Sequence, residues 1–285
     1  DPNVQRNPRL SSALERATLE AMRRDPHAPR LVETRLMRVS NAMLPPVIRA
    51  LGRAESLAAT PLLVGLLGRA GGLDATVLAA LAGETRSLCA DDEARASVVP
   101  YLDSEDALVR RLAVGVLGNM REGAVAEELL DLLEDGDPSV SRASHQALVR
   151  ICGLDLGPDR AAWTSWYASQ QAWRTEHGEA LAEDAIGGTP ETALRAIRAL
   201  SARPLFAYEH ARVLAEALAH PDEGVAAAAA AGLQRLKVGA ALPELVDTLD
   251  DPRPRVRAAG HRALQALTGR GLAADEPTWR AALPR

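Results

Sequence analysis

Apolar residues recur along this chain in a helical rhythm, interrupted by acidic turns. Val140, Ala143, Ser144, Ala147, Leu148 and Ile151 fall at relative positions 0, 3, 4, 7, 8 and 11, which is one face of an α-helix. Before them, Val125 to Leu133 reads as a shorter helix, and Glu134-Asp135-Gly136-Asp137 as the turn between the two. Asp137 suits an N-cap, Pro138 the first helical position and Gly153 the stop. The grammar repeats from Leu242 to Leu249, through Asp250 to Pro254, then Val256, Ala259, Gly260, Ala263, Leu264 and Leu267, with a stop at Gly269. Shorter versions run through Leu214–Leu218, His220-Pro221-Asp222 and Val225–Leu236, and through Val98–Leu102, Asp103–Asp106 and Val109–Leu117.

These units are copies. A shift of 116 positions lays Gly123–Trp163 on Gly239–Trp279, pairing Leu129 with Leu245, Val140 with Val256, His145 with His261, Gly153 with Gly269 and Trp163 with Trp279. The shift also pairs Val109 with Val225 and Leu117 with Leu233, so the duplicated block holds at least two helix pairs. A fixed-period match of this kind predicts stacked helical hairpins, because one hairpin cannot cover its own apolar face.

A helix, an Asp-containing turn and Val-Arg-x-x-Ala-x-x-Ala-Leu together resemble HEAT repeats, including the HEAT-like repeats of phycobilisome lyases. Val109-Arg110 with Ala113, and Val256-Arg257 with Ala263-Leu264, carry the resemblance; Ser141 and Ala226 stand where the Arg would be. It covers residues 95–153 and 205–269 well and 40–90 loosely, and the run Gly153 to Trp163 looks like an extension that follows HEAT repeats in some bacterial proteins. The expected fold is all-α: a right-handed α-solenoid of stacked antiparallel helix pairs, a HEAT-like superhelix. The expected organisation is an N-terminal helical cap over 1–40, repeats over 41–153, a Trp-rich insertion or linker helix over 154–188, repeats over 189–269 and a C-terminal cap over 270–285. Such a fold implies a non-enzymatic scaffold that binds a protein partner on its concave surface, alone or as a subunit of a larger complex. A lyase-like HEAT protein or chaperone handling a chromophore or prosthetic group is the alternative. A DNA-binding HEAT protein resembling the alkylpurine glycosylases is a weaker one.

Composition agrees with helices. Hydrophobic residues make up 47% of the 285 but aromatics only 3%, with Phe206 the single phenylalanine, so Leu, Ala and Val must build the core. The net charge is −5 and unevenly spread: residues 1–60 carry ten Arg against six acids. A mildly acidic chain is a poor default for nucleic acid, whose binding draws on Lys and Arg against phosphates. Cys89 and Cys152 are far apart, which predicts two buried free thiols. No apolar run approaches the roughly 20 residues that span a bilayer. The chain opens on Asp1-Pro2-Asn3 without a methionine, so upstream sequence is expected. If that is a cleaved leader, the mature chain is periplasmic or on the cell surface; otherwise it is cytoplasmic.

Four sets of residues are candidates for contact with a partner. Trp163, Trp166, Tyr167 and Trp173 fall near one helix face, either as an aromatic platform or as packing across neighbouring repeats. Trp163 has a counterpart in Trp279, which points to packing for that residue; Trp166, Tyr167 and Trp173 have none. His145 and His261 recur at one repeat position off the core stripe, where solvent exposure is the plainer expectation. Arg110, Arg111, Arg142, Arg150, Arg255, Arg257 and Arg262 could line an anion-binding stripe, although pairing with the turn acids Asp103, Asp106, Asp135 and Asp251 is the leading expectation. Arg16, Arg23, Arg24, Arg30, Arg35 and Arg38 lie among Glu15, Glu20, Asp25 and Glu33, as on a salt-bridged helix surface. From these the expected partner-binding set is Trp166, Tyr167, Trp173, Arg110, Arg111, Arg142, His145, Arg257 and His261.

No catalytic set stands out. The glycines from Gly65 to Gly72 lack the Lys-Ser/Thr of a P-loop, no nucleophile elbow is present, and His177-Gly178-Glu179 has no cysteine pair beside it. Neither a cofactor nor a metal is expected.

Overall fold

The computed structural model describes residues 8–25, 27–36, 40–54, 58–69, 72–83 and 92–283. Cys89, Arg38 and the first residues of the chain lie outside them. Sixteen α-helices and no strand are present among the described residues. The fold is an all-α solenoid of helix pairs, in two compact units that divide between Leu117 and Gly118.

The first unit holds α1 (Pro8–Arg24), α2 (Ala28–Leu36), α3 (Leu44–Gly52), α4 (Ala59–Val64), α5 (Asp74–Gly83), α6 (Asp92–Val98) and most of α7 (Ala107–Met120). Helix α3 packs on α1, α4 and α5 around buried Ile48, Leu51, Leu63, Leu78 and Leu81. Glu15 of α1 receives both Arg49 (3.0 Å) and Arg53 (2.7 Å), and Arg24 pairs with Glu20 one helical turn away at 2.6 Å. These are exposed pairs, each contributing at most about 1 kcal/mol.

The second unit continues with α8 (Ala126–Asp131), α9 (Pro138–Cys152), α10 (Arg160–Gly187), α11 (Pro190–Ser201), α12 (Ala207–Ala217), α13 (Glu223–Leu236), α14 (Leu242–Asp247), α15 (Pro254–Thr268) and α16 (Glu276–Ala282). The duplication is carried into the backbone. The bounds of α7, α8 and α9 recur 116 residues later as those of α13, α14 and α15. The flanking 3-10 turns Gly123–Val125 and Leu132–Glu134 recur as Gly239–Ala241 and Thr248–Asp250. Thus the helix expected over Val125–Leu133 is a short α-helix tightened into 3-10 geometry at both ends, as short helix termini often are. Val140 and Val256 are each the third residue of their helix and fully buried. Gly153 (φ 72°) and Gly269 (φ 69°) close both helices in the left-handed conformation.

Side by side, α11 packs on α13 and α13 on α15, while α12 and α14 cover the other side of α13 and α15. The long α10 runs along α11 and crosses α12. Turns are tied across repeats. Arg253 holds Asp251 (2.7 Å) and donates to the carbonyl of His220 (2.5 Å) in the preceding turn. Glu223 accepts from the backbone N–H of Arg255 at 2.9 Å, so the start of α15 is capped from the neighbouring helix pair. In the first copy Asp137, at the position of Arg253, caps its own helix through Ser139 N at 2.7 Å.

The copies have diverged in a compensated way. In the first, the buried Ser144 hydroxyl donates to the carbonyl of Leu129. In the second, the same carbonyl (Leu245 O) receives Thr248 Oγ1 at 2.6 Å, and Gly260 replaces Ser144 because a Cβ there would lie 1.8 Å from Thr248 Oγ1. Gly260→Ser should therefore destabilise the protein by about 1–3 kcal/mol through overpacking. The double variant Gly260→Ser/Thr248→Leu, which restores the first copy's pair, should recover most of that loss in urea unfolding. Recovery no better than additive would refute the exchange.

Lys237 ends α13 at φ 58° with its side chain exposed, and Arg121 ends α7 at the equivalent position with φ 56°. A side chain in this left-handed region costs about 1–2 kcal/mol, partly offset by glycine's greater unfolded entropy. Lys237→Gly should stabilise the protein by about 0.5–1 kcal/mol, read as a higher melting temperature by calorimetry.

Candidate interaction site

Helix α10 is 28 residues long, and its start explains its first tryptophan. Asp159 caps it through Ala161 N at 2.9 Å. Trp163 is fully buried, donates from Nε1 to Gly157 O at 2.7 Å, and meets His145 edge-on with ring centroids 6.3 Å apart. The second copy repeats the clasp: buried Trp279 donates to Ala273 O at 2.8 Å and meets His261 at 6.2 Å. Nε2 of His145 bonds Asp155 (2.8 Å) and Nε2 of His261 bonds Leu272 O (2.9 Å). Both histidines are only partly exposed. They fasten the chain that follows α9 and α15 onto those helices, and each sits against its own tryptophan.

Beyond Trp163 the aromatics belong to α10 alone. Trp166 packs edge-on against Trp163 at 5.9 Å and stays half-buried. Tyr167, also half-buried, has its hydroxyl hydrogen-bonded by Gln171 Nε2 at 2.5 Å. Burial raises its pKa, and nearby Glu127 of α8 raises it further. Two turns on, Trp173 lies under Arg203, whose guanidinium carbon stands 3.6 Å from the ring centroid. Gln170 fixes that arginine at 2.7 Å, and burial lowers its pKa. Arg174 stands 5.4 Å over Phe206 and pairs with Glu209 at 3.1 Å. Cation–π contacts of this kind contribute about 0.5–2 kcal/mol, most where water is excluded.

His210 of α12 closes this seam. It is buried, edge-on to Trp173 (6.3 Å) and Phe206 (5.7 Å), and its Nδ1 bonds Leu200 O at 2.8 Å. A carbonyl only accepts, so Nδ1 carries the proton in the neutral ring, and buried Nε2 has no hydrogen-bond partner among the described residues.

The arginines divide into two groups. Arg110 donates to Ser104 O (2.7 Å) and Glu105 O (3.1 Å), and Arg257 to Asp251 O (2.7 Å) and Pro252 O (2.9 Å). At these two positions the guanidinium groups reach turn carbonyls. Those carbonyls end a 3-10 turn and lack helical partners; Asp251 is held by Arg253 instead. Where the motif departs, Ser141 does similar work, donating to Leu133 O at 2.7 Å. Arg111, Arg142, Arg255 and Arg262 are exposed, and Arg150 reaches Asn119 at 2.8 Å. Trp166, Tyr167 and Trp173 are thus brought together on α10, whereas the arginines and histidines stand on the paired helices α7, α9 and α15. Cys152 is buried, and burial pushes its thiol up to about 12. Among the described residues, no three His, Cys, Asp or Glu come together as metal ligands, and no helix is long and apolar enough to cross a membrane.

Residues 95–162 match the family of HEAT repeats. Over that stretch the chain carries HEAT repeats. No curated protein sequence matches it. Among solved structures, an engineered protein is 19% identical, with 85% of this chain and 96% of that one covered and a TM-score of 0.33. The HEAT-like repeats protein of the archaeon Thermococcus onnurineus NA1 is 15% identical, covers 92% and 98%, and scores 0.34. Human deoxyhypusine hydroxylase in complex with glycerol is 16% identical, covers 92% and 98%, and scores 0.28. At these TM-scores the likenesses carry no argument about what the present HEAT repeats bind.

Sequence reasoning missed Arg203, His210 and Phe206 as parts of the aromatic seam. They lie some 30 to 37 residues beyond Trp173, Arg203 and Phe206 in the turn before α12 and His210 on α12 itself, and only the packing of α10 across α12 joins them. His210 also makes stability depend on pH. Burial is the main cause lowering its pKa; Leu200 O and Glu209 oppose it, and Arg203 and Arg174 reinforce it. The folded state therefore favours the neutral ring. That contribution to stability is present above the unfolded value of about 6.5 and is lost as pH falls through the folded value. His210→Asn, whose amide can still donate to Leu200 O, should lose less stability than wild type between about pH 7.5 and 5.5 in urea unfolding. Parallel losses would refute the assignment.

Proposed function

We propose that this chain is a non-catalytic HEAT-repeat scaffold and that it binds a protein partner across the aromatic stretch of α10. One observation carries the reading. The repeat itself requires a single tryptophan per copy, Trp163 or Trp279, and buries it. Trp166, Tyr167 and Trp173 are additional, have no counterpart in the other copy, and remain partly exposed. Partly exposed aromatics on a rigid helix are the side chains that most often anchor protein interfaces, being large and low in conformational entropy. The surrounding groups favour recognition: Glu127 beside Tyr167, and Gln170 beside the Arg203–Trp173 stack, offer polar contacts at the rim.

The test is affinity capture from the source cells with wild-type protein and with Trp166→Ala/Tyr167→Ala. Both must first show the same helical circular dichroism. Wild type should retain one protein at fixed stoichiometry, and the variant should bind that protein about ten-fold or more weakly by calorimetry. Equal binding by the variant would sink the assignment to α10. Failure of wild type to retain any protein would sink the scaffold reading.

A further inference from the structure

A second surface, independent of the α10 aromatics, arises from the way charge is sorted between the two helices of each pair. On the first helices of the second unit the exposed side is mainly acidic: Glu127, Glu128 and Asp131 on α8, Glu209 and Glu216 beside the single Arg212 on α12, Glu244 and Asp247 on α14. Cations on that side are engaged. Arg160 pairs with Asp131 and with Glu134 (2.9 Å), Arg174 with Glu209 (3.1 Å), and Arg280 with Asp247 (2.5 Å) and with Glu276.

The second helices present the opposite sign. Along α11 the exposed stripe includes Arg195 and Arg198, on α13 it ends in Arg235, and on α15 it carries Arg255 and Arg262. These three helices lie side by side in order, α11 on α13 and α13 on α15. Arg142 of α9 occupies the position that precedes Ala258 of α15 by 116 residues. The guanidinium groups of Arg142, Arg195, Arg198, Arg255 and Arg262 make no ion pair or hydrogen bond to any described residue; Arg235 makes one, to Ser201 Oγ at 3.3 Å. Carboxylates near the stripe stand at the starts of the helices: Glu191 in the first turn of α11, Asp222, which caps α13 through Val225 N at 3.0 Å, and Glu223, which is occupied with the N–H of Arg255.

We propose that the exposed face of α11, α13 and α15 docks an acidic polypeptide segment of a partner protein. Guanidinium groups recognise carboxylates through paired N–H donors, and their weak hydration makes them the cations best suited to interfaces. Gly224, Ala227, Ala231 and Ala258 lie between the arginines on the same stripe, so an extended segment can approach closely. Two observations favour an acidic peptide over nucleic acid. The stripe on these three helices has no aromatic residue on which bases would stack. The carboxylates on the first helices of the same unit, and the chain's net charge of −5, oppose a polyphosphate that extends past the stripe, whereas a short acidic segment can stay within it.

The experiment compares three probes by fluorescence anisotropy at low and physiological salt: a peptide of alternating glutamate and serine, a peptide of alternating lysine and serine, and a single-stranded oligonucleotide with as many charges as the acidic peptide. The acidic peptide should bind, weaken as salt rises, and bind about ten-fold more weakly to Arg195→Glu/Arg262→Glu. Trp166→Ala/Tyr167→Ala should leave that binding unchanged, which separates this surface from the α10 reading. Should the charge-reversed protein fail to fold, Arg195→Gln/Arg198→Gln should show a smaller loss in the same direction. Tighter binding of the oligonucleotide than of the acidic peptide would overturn the proposal in favour of nucleic acid. Salt-sensitive self-association of the unbound protein in sedimentation, abolished by the same substitutions, would overturn it in favour of a contact between copies. No detectable peptide binding at low salt would also overturn it.

Discussion

A helix pair built mainly of Leu, Ala and Val cannot cover its own apolar face, and every other feature of the chain follows from that constraint. Val225, Ala229 and Leu233 of α13 are buried only because α11, α12 and α15 surround them; Val256, Ala263 and Leu264 of α15 depend in turn on α13 and α14. Burying one such side chain contributes about 1.5–3 kcal/mol, but the gain exists only within the stack. Stability is thus held at the seams between neighbouring pairs, where small residues permit close approach.

Stacking leaves a polar problem at each turn. Short helices expose carbonyls and amide groups at their ends, and the chain satisfies them with side chains from the turn, the helix or the next pair. Arg110, Ser141 and Arg257 serve turn carbonyls, Asp137 and Glu223 serve helix starts, and Arg253 reaches the turn before its own. The two copies solve the same problem with different residues. Ser144 in one and Thr248 in the other reach the same backbone oxygen, with glycine at 260 making room. The backbone boundaries are retained while the side chains exchange tasks, which is how a repeat can diverge without losing its stack.

What remains after these tasks is the chemistry free for a partner. Histidines 145 and 261 and tryptophans 163 and 279 are consumed by the fold, as are the Arg residues of the Val-Arg motif. The aromatics of α10 beyond Trp163 stay partly exposed, and the unpaired arginines on the second helices face solvent. They stand on different layers of the same unit, one aromatic and one basic.

Local periodicity determined a great deal on its own. The stripe from Val140 to Ile151, its copy from Val256 onward, the helix-opening prolines and the closing glycines at 153 and 269 are short-range signals, and the helices stand where those signals put them. The duplication by 116 residues also made Trp163 and Trp279 equivalent, because matched positions of the two copies bury the same side chain. Tertiary structure alone decided the rest. Whether His145 faces water or clasps Trp163, whether an Arg meets a carboxylate or a carbonyl, and that Arg203, Phe206 and His210 converge on Trp173 all depend on how distant helices cross. Side-chain partners across a seam are set by three-dimensional packing, and a helical repeat pattern specifies which face is buried but not which neighbour buries it.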